Sequence, residues 1–133
     1  MKNLLLLACL FFGFVGGAQE QDNSVEKQSI EEMALLNTKR MALSLDLNAE
    51  QQEKILKIQK KRIEDQREIR ADARKELEEK PQNNDEERAE IQNELKNVEL
   101  EYQEKLQEIL TGEQYAKWKE IRDKREKGRG TRN

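Results

Sequence analysis

The sequence predicts an all-α protein: an elongated four-helix chain with a long central helical hairpin. Three observations carry that prediction. Apolar residues recur at intervals of three and four, the period of a helix, rather than in alternation. Four short segments pair a side-chain oxygen with a Glu or Gln three residues on, the pattern that starts a helix. With the first 18 residues set aside, Ala, Glu, Lys, Leu and Arg supply 64 of the remaining 115, the composition of long helices and coiled coils.

Those first residues are set aside because they read as a secretory signal. One positive charge in Met1-Lys2-Asn3 precedes an uncharged apolar run from Leu4 to Val15, and Gly16-Gly17-Ala18 supplies the small residues of a cleavage site. The run is shorter than the ~20 residues of a spanning helix. Cys9 sits too early in it, with apolar residues continuing beyond, to be a lipidation site. Segment 1–18 is therefore expected to be a signal peptide cleaved after Ala18, which makes the mature chain an exported one. Cleavage removes all three Phe and the only Cys. Without disulfides, the fold must come from helix packing, shared between two chains.

Residues 19–28 are polar and patternless and are expected to form a flexible lead. Ser29-Ile30-Glu31-Glu32 is a capping box that starts a helix from about Ile30 to Leu43, with Ile30, Met33, Ala34, Met41 and Leu45 on one face and Leu35, Leu36 and Leu43 widening it. Asp46-Leu47-Asn48 ends it. Asn48 and Gln51 form the next box, opening a helix from Ala49 to about Lys80 whose apolar face is Ile55, Ile58, Ile63, Ile69, Ala73 and Leu77. That face carries only polar groups between Ile63 and Ile69. Pro81 breaks the helix, because the residue before a proline is pushed out of the α region. A third helix, about Asp85 to Leu110, carries the cleanest stripe: Ile91, Leu95, Val98, Tyr102, Leu106 and Ile109. The short connection predicts an antiparallel hairpin whose seam is that stripe. Thr111 and Gln114 cap a short fourth helix with Tyr115, Trp118 and Ile121 on one face, read first as anchors against the hairpin. The helical unit thus spans 29–125, and residues 126–133 are expected to be a basic disordered tail.

A shift of 63 residues lays Leu47-Asn48-Ala49-Glu50-Gln51 on Leu110-Thr111-Gly112-Glu113-Gln114, and Lys54, Ile58, Lys61 and Arg62 on Lys117, Ile121, Lys124 and Arg125. Each copy is an apolar residue, a cap and a closing Gln. The pair resembles the LTxxQ motifs of the Spy/CpxP family of small periplasmic proteins. Leu110, Thr111 and Gln114 match the motif by letter, while Leu47, Asn48 and Gln51 depart only in Asn48, an equally good cap. The resemblance implies an antiparallel, cradle-like homodimer and one of two activities: ATP-independent holding of unfolded envelope proteins, or binding to an envelope-stress sensor kinase. It also implies a zinc-binding branch, but the chain has no histidine, and carboxylates alone hold zinc poorly.

The residues themselves narrow the choice. The lack of histidine excludes the His-dependent triads and an imidazole zinc site. The many carboxylates single out no acid/base pair, and there is no Gly-rich phosphate loop. No enzyme activity, cofactor or metal is expected, and the net negative charge speaks against nucleic acid. The expected function is an ATP-independent periplasmic holding chaperone or stress protein. The alternatives are an adaptor for a sensor kinase and a structural helical dimer without clients. Candidate client or partner contacts are Met33 and Met41, soft adaptable side chains, together with Tyr115 and Trp118. The basic stretch from Lys124 to Arg132 is a solubilising end or a dock for an acidic surface or anionic lipid head groups.

Overall fold

The structure, a computed structural model, describes residues 18–79 and 84–130, with side chains described over 26–79 and 85–130. Among them lie four α-helices and no strand: α1 (Ala18–Leu45), α2 (Ala49–Glu79), α3 (Asn84–Ile109) and α4 (Gly112–Gly130). The predicted signal run before Ala18, the break at Pro81 and the last three residues lie outside the described residues.

Two helix boundaries differ from expectation. α1 begins at Ala18 rather than at Ile30, so residues 18–28 are helical and not a flexible lead. Ser29 is internal to the helix, and its Oγ accepts a hydrogen bond from Arg67 of α2 at 3.1 Å instead of capping a terminus. A capping pattern marks a helix start only where the preceding residues leave the helix. At the other end, α4 continues through Lys127 and Arg129 to Gly130, where a disordered tail was expected from residue 126. Those two basic residues occupy the last turn, where cations complement the helix dipole, and Lys124 bonds Glu120 one turn back at 2.7 Å.

α2 is the spine. α1 and α3 both run antiparallel to it, one on each flank, and their backbones do not meet. The register of the α2–α3 hairpin is set by Gln59 opposite Tyr102 and Arg62 opposite Glu99, that of α1–α2 by Glu31 opposite Lys60. α4 returns from the end of α3 across to α1. The result is an open layer of three helices closed at one end by the fourth.

The apolar residues fill that closed end. Leu45, Leu47, Ile55, Tyr102, Leu106 and Leu110 form the larger core, with Tyr115, Trp118 and Ile121 of α4 packed onto it. Ile55 and Leu106 are fully buried. A smaller core joins Ile30 and Ala34 of α1 to Ile63 of α2. The predicted α3 stripe does face α2, so it is the seam of the intrachain hairpin; Tyr102 and Leu106 are buried in it, whereas Ile91, Leu95 and Val98 are half-buried.

The wide apolar face expected for α1 is not formed. Its buried stripe is Ile30, Ala34, Thr38 and Leu45, with Met41 half-buried, while Leu35, Leu36 and Leu43 point out to solvent. A helix at the edge of a layer covers one neighbour and needs only a narrow stripe. Thr38, a polar residue in that stripe, satisfies its hydroxyl on the Ala34 carbonyl at 2.8 Å. The polar stretch of α2 between Ile63 and Ile69 is also explained. Arg67 there reaches across to α1, donating to Ser29 Oγ and to the Glu26 carbonyl.

Candidate functional site

The two motif copies meet. In the first corner, Asp46 takes a left-handed φ of 54°, which lets the Leu47 N–H reach back to the Ala42 carbonyl and buries Leu47. Asn48 then caps α2: the Gln51 N–H donates to Asn48 Oδ1 at 2.8 Å, and the Asn48 N–H donates to Gln51 Oε1 at 3.1 Å. In the second corner Leu110 is buried and Thr111 caps α4 in the same reciprocal way, with Gln114 as partner at 3.2 and 3.0 Å.

The closing glutamines then bond one another. Gln51 Nε2 donates to Gln114 Oε1 at 2.7 Å, and Gln114 Nε2 donates to Gln51 Oε1 at 3.3 Å. The same two amide groups also satisfy helix ends across the junction. Gln51 donates to the Ile109 carbonyl, and Gln114 to the Leu45 carbonyl, both at 3.2 Å. This accounts for Gln in both copies. Glu would close each cap equally well but has no N–H to offer the opposite corner.

Beside this junction lies a cleft of about 360 Å³. Its floor is Gln59 and Arg62 of α2; Arg40 and Met41 of α1 form one wall, Glu99 and Tyr102 of α3 the other, and α4 roofs it with Trp118, Ile121 and a row of arginines, Arg122, Arg125 and Arg129. Tyr102 is 3% exposed and organises the floor. Its hydroxyl accepts from Gln59 Nε2 at 2.6 Å and lies 3.4 Å from Met41 Sδ. The Arg62 guanidinium sits 4.4 Å over its ring, and Trp118 meets it edge-on at 6.4 Å. Burial pushes the Tyr102 hydroxyl pKa up to about 12, against a smaller opposing effect of the Arg62 charge. Arg62 Nε lies 3.0 Å from Glu99 Oε2, a charge contact across the hairpin whose N–H is not aligned for a hydrogen bond.

The candidate contacts divide. Met33 is about half exposed on the outer face of α1, with Arg67 against its sulfur at 3.4 Å. Met41 is turned inward to the cleft between Gln59 and Tyr102. Tyr115 and Trp118 stack with ring centroids 5.5 Å apart, both packed on the core, the anchoring arrangement expected of them. The sequence reading missed Gln59, which lies on the buried face of α2 as a polar residue, and it took Arg125 and Arg129 only as part of a basic end, whereas their spacing of three and four from Arg122 puts all three on one side of α4, toward the cleft. Among the described residues no three His, Cys, Asp or Glu side chains gather to hold a metal, and no helix is long and apolar enough to cross a membrane.

No curated protein and no solved structure matches the chain. A family model matches residues 18–118, a stretch that includes α1 to α3, both motif copies and the first seven residues of α4. The chain belongs to that family, described as Domain of unknown function (DUF4890).

Proposed function

We propose that this chain is an ATP-independent holding chaperone or stress protein of the periplasm, of the Spy/CpxP type, that binds unfolded or misfolded envelope proteins. The observation that carries the reading is the outer face of α1. Met33, Leu35 and Leu36 are 41–49% exposed there and Leu43 is 90% exposed, while elsewhere among the described residues Leu100 of α3 is the other exposed large apolar side chain. Large apolar side chains grouped on one exposed helix face, flanked by Lys39 and Arg40, suit weak contact with many unfolded chains. The same face suits the homodimer that the family resemblance implies. The paired motifs at the helix corners add support, because they give the LTxxQ-like pattern a specific structural role.

The test is aggregation of several unrelated proteins, followed by light scattering with stoichiometric amounts of this protein and no ATP. Suppression is expected, and Leu36→Glu with Leu43→Glu should reduce it severalfold while changing stability by less than about 0.5 kcal/mol, as for surface substitutions. Absence of suppression across all clients would sink the chaperone reading and favour the sensor adaptor. Sedimentation that gives the mass of one chain at micromolar concentration would remove the dimer.

A further inference from the structure

The cleft under α4 has features that client holding does not require. Five arginines, Arg40, Arg62, Arg122, Arg125 and Arg129, face it against one carboxylate, Glu99. Two are held in place by aromatic faces: Arg62 over Tyr102 at 4.4 Å and Arg122 over Trp118 at 5.1 Å. Arg122 is also tied to Asp123, and Arg62 to Glu99. Arg40, Arg125 and Arg129 have no ion-pair partner among the described residues. Converging like charges cost free energy unless an anion sits among them. A second, independent feature lies in the floor. Gln59 is 3% exposed; its Nε2 is spent on Tyr102 and Met41, and its Oε1 has no hydrogen-bond partner. A buried acceptor of this kind needs a donor.

The two requirements together describe one ligand class. Planar guanidinium groups match the oxygens of phosphate, and a free amide oxygen calls for a hydroxyl. About 360 Å³ is within the range of small-ligand sites, and α4 overhangs one side of it, which suits a compact head group better than a length of acidic polypeptide.

We propose that this cleft binds a hydroxylated phosphate ester, with the arginines on the phosphate and the Gln59 side chain turning its Oε1, sealed in the floor without a partner, outward to accept a hydroxyl proton. Glycerol phosphate, free or as the head group of phosphatidylglycerol, is the simplest member of the class. The proposal stands whether or not the protein holds clients.

Trp118 is the only tryptophan of the chain and lines the cleft, so its fluorescence reports occupancy. The purified protein is titrated with glycerol 3-phosphate, with ethyl phosphate, and with vesicles of phosphatidylglycerol or phosphatidylcholine. Saturable binding of glycerol 3-phosphate is expected, severalfold tighter than ethyl phosphate. Arg40→Gln with Arg129→Gln, both exposed positions, should weaken it about tenfold with the helical circular dichroism unchanged. Lys57→Gln, on the far side of α2 and paired only with Glu53, should not. Arg129→Gln alone serves if the double variant loses helicity. Binding to phosphatidylglycerol vesicles that depends on the same arginines, with no response to the free ester, identifies the lipid as the source and upholds the site. Vesicle binding indifferent to the cleft variants, equal loss in Lys57→Gln, equal affinity for the two esters, or binding of an acidic peptide in preference to every phosphate would overturn the proposal.

Discussion

Gln51 and Gln114 each serve three partners with one amide: the backbone of their own cap, the opposite glutamine and a carbonyl at the end of another helix. Gln51→Glu keeps the cap acceptor but removes the donor to Ile109 and to Gln114. It should cost about 1–3 kcal/mol, the range for leaving buried polar groups unmatched, measured by urea unfolding. Asn48→Thr, which gives the first corner the capping residue of the second, should be nearly neutral, since both side chains cap well. Tyr102 gives a pH dependence. Its pKa rises from 10 to about 12 on folding, so the folded state holds the proton more tightly than the unfolded chain. The stability this contributes is intact below pH 10 and is lost as pH rises from 10 to about 12. Tyrosinate absorbance should show Tyr102 ionising only near pH 12, with unfolding following it. On the acid side Glu50, Glu101 and Glu120 are lowered by hydrogen bonds to the lysines four residues on, which stabilises above the usual carboxylate range and fades as pH falls through their lowered values.

At the level of elements, what was legible in the sequence was whatever depends on local backbone chemistry. The caps at Asn48 and Thr111 and the α3 stripe from Ile91 to Ile109 stand where the pattern put them, because a cap and a 3.6-residue period are properties of a single segment. The start of α1 was not legible. Ser29 has a capping-box neighbour in Glu32, but Arg67, 38 residues away, takes its hydroxyl. Nor was the orientation of Leu35, Leu36 and Leu43, because apolar letters do not say how many neighbours a helix will have. Gln59 and Arg62 were hidden for the opposite reason: they are polar letters on a buried face, chosen by Tyr102 from another helix. The pairing of the two corners was only half legible. The repeat was visible, its contact was not. The α1–α2 corner contains one avoidable strain, the left-handed Asp46. Asp46→Gly should raise stability by up to about 1 kcal/mol in thermal unfolding, since glycine takes that conformation without penalty.

Across the whole molecule, packing and charge are both polarised. The closed end holds Ile55, Leu106 and the aromatic residues, and Leu106→Ala there should cost about 2–5 kcal/mol by denaturant titration. The far half of the α2–α3 hairpin has Ala73 as its buried apolar residue, and its side cleft is lined by Asp72, Glu76, Glu87, Glu90 and Glu94. Amides around residues 70–77 should therefore exchange with solvent orders of magnitude faster than those of residues 52–63. The paired corners also bear on how the chain reaches this state. Their hydrogen bonds join residues 58 to 69 positions apart, and those of Gln114 to Leu45, Asp46 and Gln51 have the longest sequence separations among the side-chain bonds described. The helices and the α2–α3 hairpin can form before that loop closes, whereas the glutamine pair cannot. The corner is then a latch set late in folding: its loss in Gln51→Glu should quicken unfolding in stopped-flow kinetics and leave the refolding rate nearly unchanged.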